Sequence, residues 1–132
     1  MDSEIEEFRW FTTYQRINSQ LTDEKNLPNL LLMIKRPLRR LVIHDNLLGD
    51  ASYLAIAAAL RSNTSLYLIS MYNNRPVDRA RIDAAFADNL EMRSHHAPMQ
   101  LFLYSPFVDD YPRLARCPSM LQRLSRSRAI SS

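Results

Sequence analysis

Glycine is almost missing from this 132-residue chain, with Gly49 alone. A phosphate-cradling loop or a dinucleotide-binding fingerprint needs several glycines at fixed spacing, so both are excluded. Cysteine is as scarce. Cys117 has no second thiol to pair with, which rules out an internal disulfide and a cysteine zinc cluster and suits the reducing cytoplasm or nucleus. Apolar runs such as YLAIAAAL at 53–60 are far too short to cross a bilayer. The opening MDSEIEEF is acidic, unlike the basic and then apolar stages of a secretory leader, so no signal peptide is expected. Acidic residues are absent from 111–132, where Arg113, Arg116, Arg123, Arg126 and Arg128 crowd together, and no aromatic follows Tyr111.

What is present is a recurrence. Leu38, Leu41, Ile43 and Asn46 return 28 residues later as Leu66, Ile69, Met71 and Asn74, giving an L-x-x-L-x-L-x-x-N frame at 38–46 and again at 66–74. A constant stride of this length marks units that each bury an apolar edge against the next.

The first full unit, 38–65, opens with a short strand in which Leu41 and Ile43 alternate with Val42 and His44. After a turn, Asp50 is placed to cap a helix over 51–62, with Tyr53, Ile56, Ala57 and Leu60 on one face. The second, 66–96, predicts a strand at 66–72, a turn at Asn73-Asn74-Arg75-Pro76 and a helix over about 78–93. An earlier unit at 18–37 predicts a helix over 23–35, capped by Thr22 or Asp23, burying Leu27, Leu31 and Ile34, with Pro28 disturbing its first turn. Residues 1–17 read as an N-terminal cap, in which Phe8, Trp10 and Phe11 cover the open end of the core. Beyond 97 a C-terminal extension begins, with a candidate edge strand at 99–104 and an Arg/Ser-rich tail at 113–132.

The two frames, their period and the intervening GDASYLAIAAALRSN resemble the ribonuclease-inhibitor type of leucine-rich repeat, as in NOD-like receptors and tropomodulins. The resemblance implies an α/β fold: a short solenoid with parallel strands on the concave side, helices on the convex side and an irregular C-terminal tail. It also implies that Asn46 and Asn74 point inward to satisfy turn backbone, a task suited to an amide's donors and acceptor, and that the function is protein recognition. Ser52 and Ala80 stand where the family usually has glycine. Two clear units fall short of the three a stable stack normally needs, so the flanks cap it, another protein packs on it, or it belongs to a longer array.

With Leu41 and Ile43 inward, Arg40, Val42 and His44 turn to the concave face, joined by Leu68, Ser70 and Tyr72 from the next strand. A strand over 10–17 in the same register adds Thr12, Tyr14 and Arg16. Arg and Tyr are frequent interface anchors, so this row is the expected partner-binding surface.

No catalytic constellation emerges. His44 and Asp45 are neighbours on a predicted strand, so their side chains are expected on opposite faces, unable to pair directly. His95-His96 lacks a third ligand for a metal, Cys117 has no nearby histidine, and Asp109-Asp110 reads as a polar turn. No enzyme activity, cofactor, metal or small-molecule substrate is expected, and the partner is another protein. The alternative is a charge-driven adaptor whose Arg-rich tail binds nucleic acid or an anionic membrane. Arg116-x-x-Ser119 and Arg126-x-Arg128-x-x-Ser131 resemble basophilic kinase sites, making Ser119 and Ser131 candidate phosphorylation sites that would offset the tail's charge.

Overall fold

Strand and helix alternate along the chain: β1 (Glu7–Arg9), α1 (Asp23–Ile34), β2 (Arg40–Val42), α2 (Asp50–Ala59), β3 (Leu68–Ser70), α3 (Arg79–Met92), β4 (Gln100–Phe102) and α4 (Tyr111–Arg116). The structure, a computed structural model, describes the backbone of residues 7–9 and, with side chains, residues 21–93 and 99–116. The described strands form one sheet in the order β1-β2-β3-β4, with every pair parallel. Parallel neighbours need a crossover, and α1, α2 and α3 each lie between successive strands. Arg40 pairs with Leu68, Leu41 with Ile69 and Val42 with Ser70, so residues 28 apart in the frame lie side by side. Pairing outruns the three-residue strands, from Tyr67 N donating to Arg39 O at 2.8 Å to Asp45 N donating to Tyr72 O at 3.1 Å.

One face of the sheet carries the core. Leu41, Ile69 and Leu101 share a register row and are fully buried, as are Ile43, Met71 and Leu103 two residues on. The helices add Leu30 and Ile34, then Tyr53, Ile56 and Ala57, then Ile82, Phe86 and Leu90 to the same cluster. Each such Leu, Ile or Phe contributes about 1.5–3 kcal/mol relative to exposure. On α1 the inward stripe is Leu30 and Ile34 rather than the expected Leu27 and Leu31, which are only half-buried. The i,i+4 pair points at the core, and Leu27 and Leu31 flank it. Pro28 is accommodated inside the helix.

The turns after β2 and β3 are built alike. Asp45 (φ 60°) and Asn73 (φ 57°) occupy the left-handed region, which short polar side chains tolerate. The next residues hold the turns from within. Asn46 Nδ2 donates to Ile43 O and His44 O, and its Oδ1 accepts from Leu21 N at 3.1 Å. Asn74 Nδ2 donates to Met71 O and Ile43 O, and its Oδ1 accepts from Leu48 N at 2.9 Å.

Thr22 caps α1 and Asp78 caps α3 through their side chains, accepting from Lys25 N and Arg81 N. The cap of α2 is Gly49, not Asp50; Asp50 is the first helical residue, and its carboxylate accepts from Val77 N and Asp78 N instead. Asp23 does the equivalent one unit earlier, accepting from Gly49 N at 2.9 Å and from Ser52 Oγ. A Cβ on Gly49 would meet Asp23 Oδ2 at 2.9 Å, so this close approach accounts for the chain's one glycine.

The far edge of the sheet is closed by chain rather than left open. Leu101 N donates to Asp109 Oδ1 at 2.9 Å, Asp110 N donates to Leu101 O at 2.7 Å, and Leu103 N donates to Asp110 Oδ2 at 3.2 Å. The two aspartates expected as a plain turn thus supply the partners a fifth strand would have offered. Arg113, expected in the charged tail, belongs to α4 and pairs with Asp83 at 2.7 Å and Asp110 at 3.2 Å. The neighbouring Leu114 is part of the core. Arg93 is buried at the opposite end of the strands, where Nε donates to Asn63 O at 2.8 Å and Nη2 to Leu66 O at 2.6 Å. Burial lowers its pKa from the ordinary arginine value. No helix among the described residues is long and apolar enough to cross a membrane.

Candidate functional site on the outer sheet face

Because α1, α2 and α3 all feed the cluster around Leu41, Ile69 and Leu101, the alternate strand positions face away from it. Arg40, Val42 and His44 come from β2 and its continuation, and Leu68, Ser70 and Tyr72 from β3 and its continuation. These six of the expected residues line one shallow groove of about 310 Å³, together with Phe102 and Pro106. The groove is centred on a small residue. Ser70 is flanked in register by Val42 and Phe102 and along its own strand by Leu68 and Tyr72. A serine among larger neighbours leaves a depression that a Leu or Phe would fill.

The rim is held in place. His44 Nδ1 lies 2.8 Å from Ser70 Oγ, and its ring stacks on Tyr72 with centroids 4.3 Å apart and planes at 21°. Burial, and secondarily the Asp45 carboxylate, push the Tyr72 phenol above its ordinary pKa. Contrary to expectation, the His44 and Asp45 side chains meet: the strand ends at Val42, and the left-handed turn at Asp45 swings its carboxylate to 3.8 Å from His44 Nε2.

Ser70, His44 and Asp45 therefore follow one another in space. The 3.8 Å separation is not a hydrogen bond, and Asp45 Oδ1 already accepts from Asn73 Nδ2 at 2.5 Å. The neighbouring amides Ile43 N and Met71 N are spent on Ser70 O and Phe102 O, so neither is aimed at an oxyanion. The geometry positions an imidazole ring against Tyr72. No group of three or more metal-ligating side chains occurs among the described residues.

Two lining residues escaped the sequence reading. Phe102 was legible, since it falls on the same alternation as Gln100 one strand further along. Pro106 was not, because it comes from the loop after β4 and reaches the face only through the chain reversal at 105–110. Tyr104 leaves the alternation of Gln100 and Phe102 where β4 ends. Its ring is parallel to that of core residue Tyr53, 6.2 Å away; its hydroxyl donates to Asp83 Oδ1 at 2.9 Å, and Arg79 covers it at 4.1 Å. Thr12, Tyr14, Arg16, Trp10, Phe11, His95, His96, Cys117, Ser119 and Ser131 lie outside the described residues. No protein-family model matches the chain, and a search of curated proteins finds no match either.

Proposed function

We propose that this chain is a non-catalytic recognition module of the leucine-rich-repeat type, a short solenoid that binds another protein on the concave side of its parallel sheet. The carrying observation is the groove itself. Side chains from three successive strands and one loop converge there, Val42, Leu68 and Phe102 supplying apolar surface beside Arg40, His44, Ser70 and Tyr72. Large aromatic and guanidinium groups around an apolar depression are the composition of a protein-binding hot spot. The 28-residue frame supports the same reading, because stacked units naturally present equivalent positions in rows. The reading includes a reducing compartment, the cytoplasm or nucleus, which a single thiol suits.

The test compares proteins retained by immobilised wild type, by a Leu68→Glu/Tyr72→Ala variant and by a Leu32→Glu control on the exposed side of α1. The expected result is loss on the face variant and retention on the control. Identical retention by all three overturns the proposal. Removal of the tail from Cys117 onward tests the charge-driven alternative. An earlier cut would strip Leu114 and Arg113 from the fold.

A further inference from the structure

Ser105-Pro106 is the one place in the chain where a serine or threonine precedes proline. Proline has no backbone N–H, so an enzyme whose groove leaves that group without an acceptor selects serines followed by proline. The candidate sites Ser119 and Ser131 precede Met120 and Ser132 instead. Ser105 follows the end of β4, and the next three residues, Pro106, Phe107 and Val108, are exposed, Phe107 by 90%. Irregular surface segments of this kind are where a modifying enzyme can engage the backbone on both sides of its target. Ser105 itself is half-buried and lines a cavity of about 350 Å³ shared with Arg79, Asp83, Tyr104, Asp110 and Arg113.

Two arginines and two aspartates make the cavity wall formally neutral, but the four are not equally committed. Arg113 pairs with both acids, Asp83 also accepts from the Tyr104 hydroxyl, and Asp110 also accepts from Leu103 N. Arg79 lies over the Tyr104 ring, 4.1 Å from its centroid, and among the described residues it forms no ion pair. A guanidinium over a ring spends its flat face and keeps its N–H edge, the edge that grips a phosphate through two parallel bonds. We infer that Ser105 is a phosphorylation site for a proline-directed kinase and that Arg79 receives the phosphate. In the transfer the Ser105 oxygen attacks the γ-phosphorus of ATP and the bond to the β,γ-bridging oxygen breaks. ADP departs, and the serine proton passes to the kinase's base. The product carries about −1.5 to −2 charge at neutral pH and three acceptor oxygens. Asp83 and Asp110 oppose that charge, but Arg113 already answers both of them, so Arg79 tips the balance toward the phosphate. Phe107 N, which donates to Ser105 Oγ at 3.0 Å, is a second donor in the same turn. The inference stands apart from the reading of the sheet face.

Treating the folded full chain with a purified proline-directed serine kinase and MgATP tests this, read first by intact mass and then by phosphorus NMR titration. Wild type is expected to gain one phosphate. Ser105→Ala and Pro106→Ala are expected to gain none under conditions that modify wild type fully. Free phosphoserine takes up its second proton at a pH of about 6. In the modified wild type that midpoint is expected to lie lower by about half a unit or more, because a neighbouring cation favours the dianion. Arg79→Gln is expected to restore it, whereas Arg81→Gln, at an exposed arginine outside the cavity, is expected to leave it low. The inference is overturned if wild type gains no phosphate, if the gain survives Ser105→Ala or Pro106→Ala, or if it appears only after the chain is unfolded. A midpoint that Arg79→Gln leaves in place, or that Arg81→Gln moves equally, overturns it as well.

Discussion

Replacing Tyr53 by phenylalanine removes one oxygen atom from the middle of the protein and tests how successive units are tied together. Tyr53 is fully buried in the first turn of α2, and its hydroxyl lies 2.7 Å from Met71 O and 3.0 Å from Leu103 O, carbonyls that follow β3 and β4. One proton is shared between two acceptors. Met71 O also accepts from Asn74 Nδ2 at 2.7 Å, so the loss falls mainly on Leu103 O. A lost buried hydrogen bond that leaves an acceptor unsatisfied costs about 1–3 kcal/mol. For a chain of this size that lowers the melting temperature by roughly 3–15 °C. Burial also raises the Tyr53 pKa above its usual value, with Arg79 opposing and Asp50 adding to the effect. Above a pH of about 10 the unfolded chain releases this proton while the native chain keeps it. Stability therefore falls as pH rises, by up to about 1.4 kcal/mol per pH unit for such a group. Tyr104, raised by burial and by Asp83, adds a second contribution of the same sign. Denaturant unfolding followed by circular dichroism at neutral pH, and then from mildly to strongly alkaline pH, reads both effects. Tyr53→Phe should unfold at a lower denaturant concentration at neutral pH and lose less additional stability in alkali. An unchanged midpoint and an unchanged alkaline limb would show that the Tyr53 hydroxyl ties no strands together.

Asn74→Ala removes an amide that binds turn carbonyls and the preceding turn's Leu48 N, and is expected to cost about 2–4 kcal/mol by the same unfolding assay. Asp109→Ala takes the acceptor from Leu101 N and Tyr111 N, and light scattering on concentrated protein should show increased aggregation as the β4 edge is freed. Gly49→Ala should cost about 1–2 kcal/mol by displacing Asp23 from Gly49 N and Ser52 Oγ, whereas combining it with Asp23→Ala should cost less than the sum of the two. Asp83→Asn weakens an ion pair with a half-exposed Arg113, and its effect should stay under about 1 kcal/mol and shrink in high salt.

The resemblance to leucine-rich repeats implied the parallel sheet, and the 28-residue frame matches the register that sets Leu41 beside Ile69; a helix between the strands leaves room for the crossover that parallel pairing needs. The alternation at Leu41/Ile43 and Ile69/Met71 was enough to sort inward from outward residues on β2 and β3. What escaped was everything set by side chains reaching across units. Asp50 looks like a helix cap from its neighbours alone, yet its carboxylate serves amides 27 and 28 residues away. Asp109 and Asp110 have the composition of a turn, and only the exposed edge of β4 gives them another task. The contact of His44 with Asp45 depends on a positive φ at a residue that a strand pattern would treat as extended. Arg93 carries no local cue for burial, since its acceptors Asn63 O and Leu66 O lie 30 and 27 residues upstream.

The aspartates against β4 have a consequence for how this molecule can be lengthened. An extra 28-residue copy grafted after Leu103 would find its docking line already occupied by Asp109 and Asp110, and would first have to peel them away. The same copy spliced in ahead of Leu66 would meet a free backbone register on both sides and leave the terminating clasp untouched. Growth past the β4 edge, by engineering or by duplication, is therefore directional: there new material enters from the interior, and the clasp travels outward with the end.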